Sequence, residues 1–220
     1  MTLENGSEGS AAPRGSRSLS GQGRAGRYHH GALRAALIST AVELIGEGGV
    51  HNFSLAEASR RLGVAVSAPY AHFADRDDLL AAVAVHAYEV FHAELLAEVG
   101  RFETPGDRLA AVARAYVRFA GAHRPLFDLL FEAGLDKDRH PAVKAAEQPI
   151  DDAFFECVRA ISRGEETRTR NLATAIEATA HGHARLLLDG AFGHGEEAIE
   201  QAADRAGRAT LALVESRRLL

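Results

Sequence analysis

Two hundred and twenty residues, 46% hydrophobic and 25% charged with a net charge of −5, describe a globular chain of one or two domains. The single cysteine, Cys157, excludes an internal disulfide and any structural zinc site that needs two or more thiolates. The longest apolar run, Leu79 to Val85, ends at His86, well short of the roughly 18–20 residues of a membrane span, and the N-terminus lacks the apolar core of a secretory signal. A cytoplasmic protein with no membrane partner is expected.

Aromatic residues make up only 6% of the chain, and no stretch alternates as a strand would, so the expected fold is all-α. Residues 1–26 are rich in Gly, Ser and Arg and read as a disordered tail. Gly21 to Gly26 matches the G-x-G-x-x-G dinucleotide fingerprint, but no strand precedes it, and the motif is empty without a βαβ unit. From His30 an apolar stripe of Leu33, Leu37, Ala41, Leu44 and Ile45 predicts a helix closed by Gly48-Gly49. Ser54 to Glu57 reads as a capping box opening a short helix that buries Leu55, Ala58 and Leu62 and stops at Gly63. A tight connection from Val64 leads into a third helix through Pro69, Tyr70 and Phe73. Asp75 can cap a fourth, over about 75–100, with Leu79, Leu80, Val83, Ala87 and Val90 inward. Longer helices are expected at 107–121, 124–133, 141–163, 166–189 and 195–218, the third kinked by Pro149.

Charge divides the chain. From Gly9 to Phe73 seven arginines (14, 17, 24, 27, 34, 60, 61) face Glu43, Glu47 and Glu57, a balance of +4. From Ala81 onward 17 basic residues face 22 acidic ones, a balance of −5. A basic head on a larger acidic body is the asymmetry of a small DNA-reading domain attached to a helical one.

Residues 54–73 pair two short helices about Gly63, with small Ala58 allowing a close crossing. This is helix-turn-helix spacing, which presents the second helix to a major groove about 12 Å wide. Together with Tyr28-His29-His30-Gly31-Ala32-Leu33, Phe53-Ser54-Leu55, Leu62-Gly63-Val64, Tyr70-Ala71-His72-Phe73 and the stretch from Asp75 to Leu79, the segment closely resembles the TetR family of bacterial transcriptional regulators. The resemblance covers about residues 27–80. It implies an all-α protein with an N-terminal three-helix helix-turn-helix DNA-binding domain (27–75) followed by a larger helical effector-binding and dimerisation domain (76–220). It further implies a homodimer that represses transcription from a pseudo-palindromic operator until a small-molecule effector releases it. The last two helices would build the dimer, through apolar stripes that include Leu172, Ile176, Leu186, Leu187, Ile199, Leu211 and Val214.

Position by position, the resemblance places Val66, Ser67 and Ala68 at base edges, and Tyr70, His72 and Arg76 at phosphates. Ser54 and Leu55 start the supporting helix against the DNA backbone. Tyr70 could instead pack on the first helix, and His72 could cap or pack. Arg27, in the basic tail, reaches DNA or stays solvated. Ala65 stands where a Ser or Thr cap is common, so Ser67 could cap a shorter helix with Pro69 in its first turn. Ala71 replaces a commonly larger residue.

The stretch from Glu177 to Phe192, with its His181-Gly182 pair, is similar to the C-terminal domain of a TetR subgroup named for a Trp and a His-Gly pair, although this chain has no tryptophan. The resemblance makes a cavity lined by His86, Phe91, Tyr116, Phe119, Phe127, Phe131, Phe154 and Phe155 the candidate effector pocket. The body's acidic balance disfavours an anionic effector, and its aromatics favour a largely apolar one. The competing reading is a helical enzyme or metal-binding bundle. His181 and His183 lie about 200° apart on a helix and cannot share an ion. Glu89-x-x-His92 lacks the second copy that a di-iron bundle requires. There is no G-x-S-x-G nucleophile elbow, and Cys157 lies in an apolar run. No enzyme activity, cofactor or metal is therefore expected.

Overall fold

The computed structural model describes residues 30–216, so Arg27, the basic tail and the Gly21 to Gly26 pattern lie outside the described residues. The described residues form eight α-helices and two 3₁₀ turns, with no strand among them. The head comprises α1 (His30–Gly48), a 3₁₀ turn (Val50–Asn52), α2 (Leu55–Leu62) and a second 3₁₀ turn (Ala68–Ala71) leading into α3 (Arg76–Val99). The stripe Leu37, Ala41, Leu44 and Ile45 is buried against Leu55, Ala58 and Phe73.

Local chemistry sets these boundaries. Ser54 is extended, and its hydroxyl accepts the Glu57 N–H at 3.2 Å. Glu57, rather than completing a reciprocal capping box, pairs with Arg60. Gly63 ends α2 at φ 66°, a left-handed conformation that glycine adopts without the Cβ penalty. The expected third helix is a single 3₁₀ turn. Ser67 stands at its N-cap position but makes no side-chain cap bond, and Pro69 lies in the first turn. Proline brings no N–H, so the Ala65 carbonyl takes the Ala68 N–H at 2.8 Å and the Ser67 carbonyl takes the Tyr70 N–H at 3.2 Å.

Asp75 caps α3, accepting the Asp78 N–H at 2.9 Å. This helix is long and apolar enough by length and composition to cross a membrane, although its longest uninterrupted apolar run is short. Burial explains the composition: 56% of its most apolar stretch lies inside the protein, between the head and the body.

The body adds α4 (Pro105–Ala122), α5 (Arg124–Glu132), α6 (Pro141–Ser162, unbroken across Pro149), α7 (Glu166–Leu188) and α8 (Glu196–Glu215). Helix α4 is central and packs on α3, α5, α6, α7 and α8. Small residues make the α4–α8 crossing close: Ala198, Ala202, Ala203 and Ala206 of α8 are buried. At Gly121 an added Cβ would stand 2.6 Å from Ile199 and 3.1 Å from Leu187. Leu172, Ile176 and Leu187, expected from the sequence to face a partner, are core residues of the single chain at 0%, 1% and 6% exposure. The outward apolar residue of α7 is Leu186, at 49%.

Candidate DNA-reading turn and body cavity

The turn after α2 is built so that its neighbours anchor it and its tip projects. Pro69 and Phe73 are buried, and the Arg34 guanidinium stacks 5.3 Å from the Phe73 ring centre. Around these anchors Val66 and Tyr70 are 56% and 57% exposed, with Ser67 exposed and Ala68 half-buried. An exposed valine and tyrosine beside two buried anchors form a surface shaped to meet something. His72 is half-buried at the edge of a cleft of about 600 Å³ between α1, α3 and the start of α6.

Two sequence-predicted contact residues sit differently. Leu55 is buried, so only the N-terminal backbone of α2 can approach a phosphate there. The Arg76 guanidinium is turned onto the protein: it donates to the Val50 carbonyl at 2.6 Å and the Phe53 carbonyl at 3.1 Å. It thereby ties the start of α3 to the first 3₁₀ turn.

Inside the body lies a cavity of about 640 Å³. It gathers Phe91, Tyr116, Phe119, Phe127, Phe131 and Phe154 of the eight candidate pocket residues. The rings pack edge to face or tilted: Tyr116 lies 5.8 Å from Phe91 and 5.6 Å from Phe127, and Phe127 lies 4.8 Å from Phe131. His86 and Phe155 are elsewhere. His86 is exposed and borders the cleft beside His72, because it lies on the opposite face of α3 from Phe91. Phe155 packs 5.2 Å from Phe154 with Arg159 over its ring, one helical step away from the cavity wall.

Of the polar groups of the cavity, only Tyr116 is among the sequence candidates. The Tyr116 hydroxyl and His181 Nδ1 share a hydrogen bond of 2.9 Å. Burial, and secondarily Arg185, holds the His181 pKa below its ordinary value, so the imidazole is neutral near pH 7. Lys137 donates to both oxygens of Glu147 at 2.6 Å, and the Tyr88 hydroxyl donates to Glu147 at 2.8 Å. Asp151 and Glu177 also line the cavity, are both solvent-exposed, and have no hydrogen bond or ion pair among the described residues. Burial pushes both carboxyl pKa values up, with neighbouring Glu147 adding to the effect at Asp151 and Asp151 adding to it at Glu177. A signal for these groups did exist: Glu147, Ile150, Asp151 and Phe154 share one face of α6 by helical spacing, which places carboxylates on an apolar stripe.

Among the described residues no group of three or more His, Cys, Asp or Glu side chains could hold a metal ion. Cys157 is buried at 2% exposure, and burial pushes its thiol pKa up.

Comparison with known proteins bears on both parts of the chain. Residues 37–83 match the family of bacterial regulatory proteins of the tetR family, and residues 109–210 match the tetracyclin repressor-like C-terminal domain. The HTH-type transcriptional regulator BetI of Brucella anthropi is 32% identical over 79 residues, which is 36% of this chain and 41% of that protein's length. A solved protein of unknown function from Rhodococcus sp. RHA1 superposes with a TM-score of 0.65 at 29% identity, covering 84% of this chain and 97% of that one. The TetR family regulator PfmR of Thermus thermophilus superposes with a TM-score of 0.62 at 18% identity, covering 80% and 97%. A helix-turn-helix head with an exposed reading turn, an all-helical body and family matches to both make the conclusion plain: the chain belongs to the TetR family of transcriptional regulators.

Proposed function

We propose that the protein is a homodimeric cytoplasmic repressor whose two heads read a pseudo-palindromic operator and whose body cavity binds a small molecule that releases the DNA. The observation that carries this reading is the continuity of α3. Its first turn follows the exposed segment of Val66 to Tyr70, and Tyr88 and Phe91, three to four turns along, line the cavity. A ligand that shifts α3 changes the separation of two heads that must match a fixed groove spacing. In this reading residues 27–75 form the DNA-binding domain and 76–220 the effector-binding and dimerisation domain. Val66, Ser67 and Ala68 meet base edges, and Tyr70 and His72 meet phosphates. Ser54 and the N-terminal backbone at Leu55 approach the DNA strand, and Arg27 reaches it from the tail. The protein acts by binding alone and needs no cofactor.

The test is selection of duplexes from a random pool by the full-length protein, followed by affinity measurement at physiological salt. The selected sites should be pseudo-palindromes with half-sites about one or more helical turns apart, bound at least about 10³-fold more tightly than scrambled duplex. Equal affinity for selected and scrambled duplexes would overturn the reading.

A further inference from the structure

The loop between α5 and α6, residues 133–140, touches both the cavity and the head. At one end Lys137 reaches into the cavity and holds Glu147 through both carboxylate oxygens. Two residues on, Arg139 donates to Asp75, the N-cap of α3, at 2.8 Å, and buried His140 faces Asp78 at 3.6 Å. Asp75 and Asp78 stand at the junction between the reading turn and α3, where Asp78 also accepts the Ala74 N–H at 3.0 Å. The loop is short and braced: the Asp136 carboxylate accepts the backbone N–H of Asp138 and Arg139 at 2.9 and 3.4 Å, and Lys144 pairs with Asp138. A displacement of Lys137 is therefore passed to Arg139 rather than absorbed between them.

The cavity holds three carboxylates, Glu147, Asp151 and Glu177, against one ammonium, Lys137. Lys137 pairs with Glu147 and acts on Asp151 only from a distance. Asp151 and Glu177, both solvent-exposed, thus have no ion pair of their own among the described residues, beside a lining of aromatic and aliphatic side chains. Carboxylates at the mouth of an aromatic cavity favour a cation that also has an apolar body, because its charge pairs with the acids while the ring faces attract it. Such a cation brings a second positive charge beside Lys137, and like charges in a partly desolvated site repel.

We propose that the effector is an organic cation with an apolar body, and that it acts by competing with Lys137 for the cavity's carboxylates, so that the 133–140 loop loosens its clasp on Asp75 and Asp78. This rests on the reading of the cavity as the effector site. The loop is the two-ended element that converts occupancy into a change at the head, and the DNA-bound form is the one in which Lys137 is seated on Glu147.

The probe is benzyltrimethylammonium, set against its uncharged isostere in which carbon replaces nitrogen. Calorimetry on the DNA-free full-length protein should find the cation bound roughly tenfold or more tightly than the isostere, as one charge pair and one cation–π contact require. D151N/E177Q should abolish that preference while leaving isostere binding in place. K137M, which removes the internal competitor, should bind the cation several-fold more tightly than wild type, whereas K137R should not. R139A should bind the cation at least as tightly as wild type, because the clasp no longer opposes it, yet its affinity for the selected duplex should respond less to the cation than the wild type does. Equal binding of cation and isostere overturns the ligand class, and so does an unchanged preference in D151N/E177Q. Weaker cation binding in K137M, or a full wild-type response in R139A, overturns the relay. The binding arms contain no DNA, so failure to find a preferred duplex would count against the repressor reading and not against the cation site.

Discussion

Arg76 shows how one side chain can stand at an expected position and already be engaged with the protein's own backbone. A cation at the start of α3 reads from sequence as a phosphate ligand, and its guanidinium instead donates to the carbonyl oxygens of Val50 and Phe53. Leaving either of these partly buried carbonyls without its charge-assisted hydrogen bond costs roughly 1–3 kcal/mol. Arg76→Met should therefore lower the melting temperature and leave the salt dependence of DNA binding unchanged, because no phosphate contact is removed. A slope of log affinity against log salt reduced by about 1 would return Arg76 to the phosphate role. Tyr70 separates from Val66 by the same logic. Tyr70→Ala should weaken binding to the selected duplex and to scrambled DNA alike, while Val66→Ala should chiefly change which bases are preferred. Competition assays with single-base variants of the selected duplex distinguish the two, and a sequence-selective loss in Tyr70→Ala would reverse the assignment.

At the scale of elements, caps and breakers make most helix boundaries legible in the sequence. Thr104 and Asp75 cap through their side chains, Gly63 stops α2, and prolines open α4, α5 and α6. These are local signals, satisfied within one turn of chain. What the sequence does not disclose is non-local. Helical spacing puts Glu147 and Asp151 on an apolar stripe of α6, but only pairings such as Tyr88 with Glu147 across 59 residues and Tyr116 with His181 across 65 show that the stripe lines a cavity. The facing of α7 is hidden in the same way: both Leu186 and Leu187 extend an apolar run, and only packing against α4 shows that Leu187 turns inward. Gly121 makes that packing testable. A side chain there meets Ile199 and Leu187 at distances shorter than van der Waals contact, so those side chains must repack or α8 must move away from α4. Gly121→Val should cost about 1–3 kcal/mol of stability, as overpacking does. Thermal melts of this variant that coincide with wild type would show that the crossing can adjust without loss.

At the scale of the whole molecule, reading two half-sites requires two heads in fixed relation, and the cavity is walled by side chains of α3 to α7 of the protomer. Effector binding is then expected to survive loss of the dimer. Leu186 is half-exposed towards the C-terminal end of α7, and Leu211, Leu213 and Val214 are only partly covered towards the C-terminal end of α8, so apolar side chains remain accessible at both ends of the α7–α8 pair, beside a core closed within the protomer. Pairing the α7–α8 surfaces of two protomers makes a four-helix contact, and a stable interface of this kind buries about 1,200–2,000 Å². Leu186→Glu places a charge on that surface without disturbing the core, so it should give a folded monomer, whereas the same change at Leu187 should unfold the protein. The Leu186→Glu monomer should retain wild-type affinity for benzyltrimethylammonium. Its affinity for the full duplex should fall to near that for an isolated half-site, because the second head no longer binds at the effective concentration that the dimer imposes. Sedimentation measures the first consequence, and titration of full and half-site duplexes measures the second. A Leu186→Glu protein that sediments as a dimer and binds the full duplex as wild type does would move the interface away from this surface of α7 and α8.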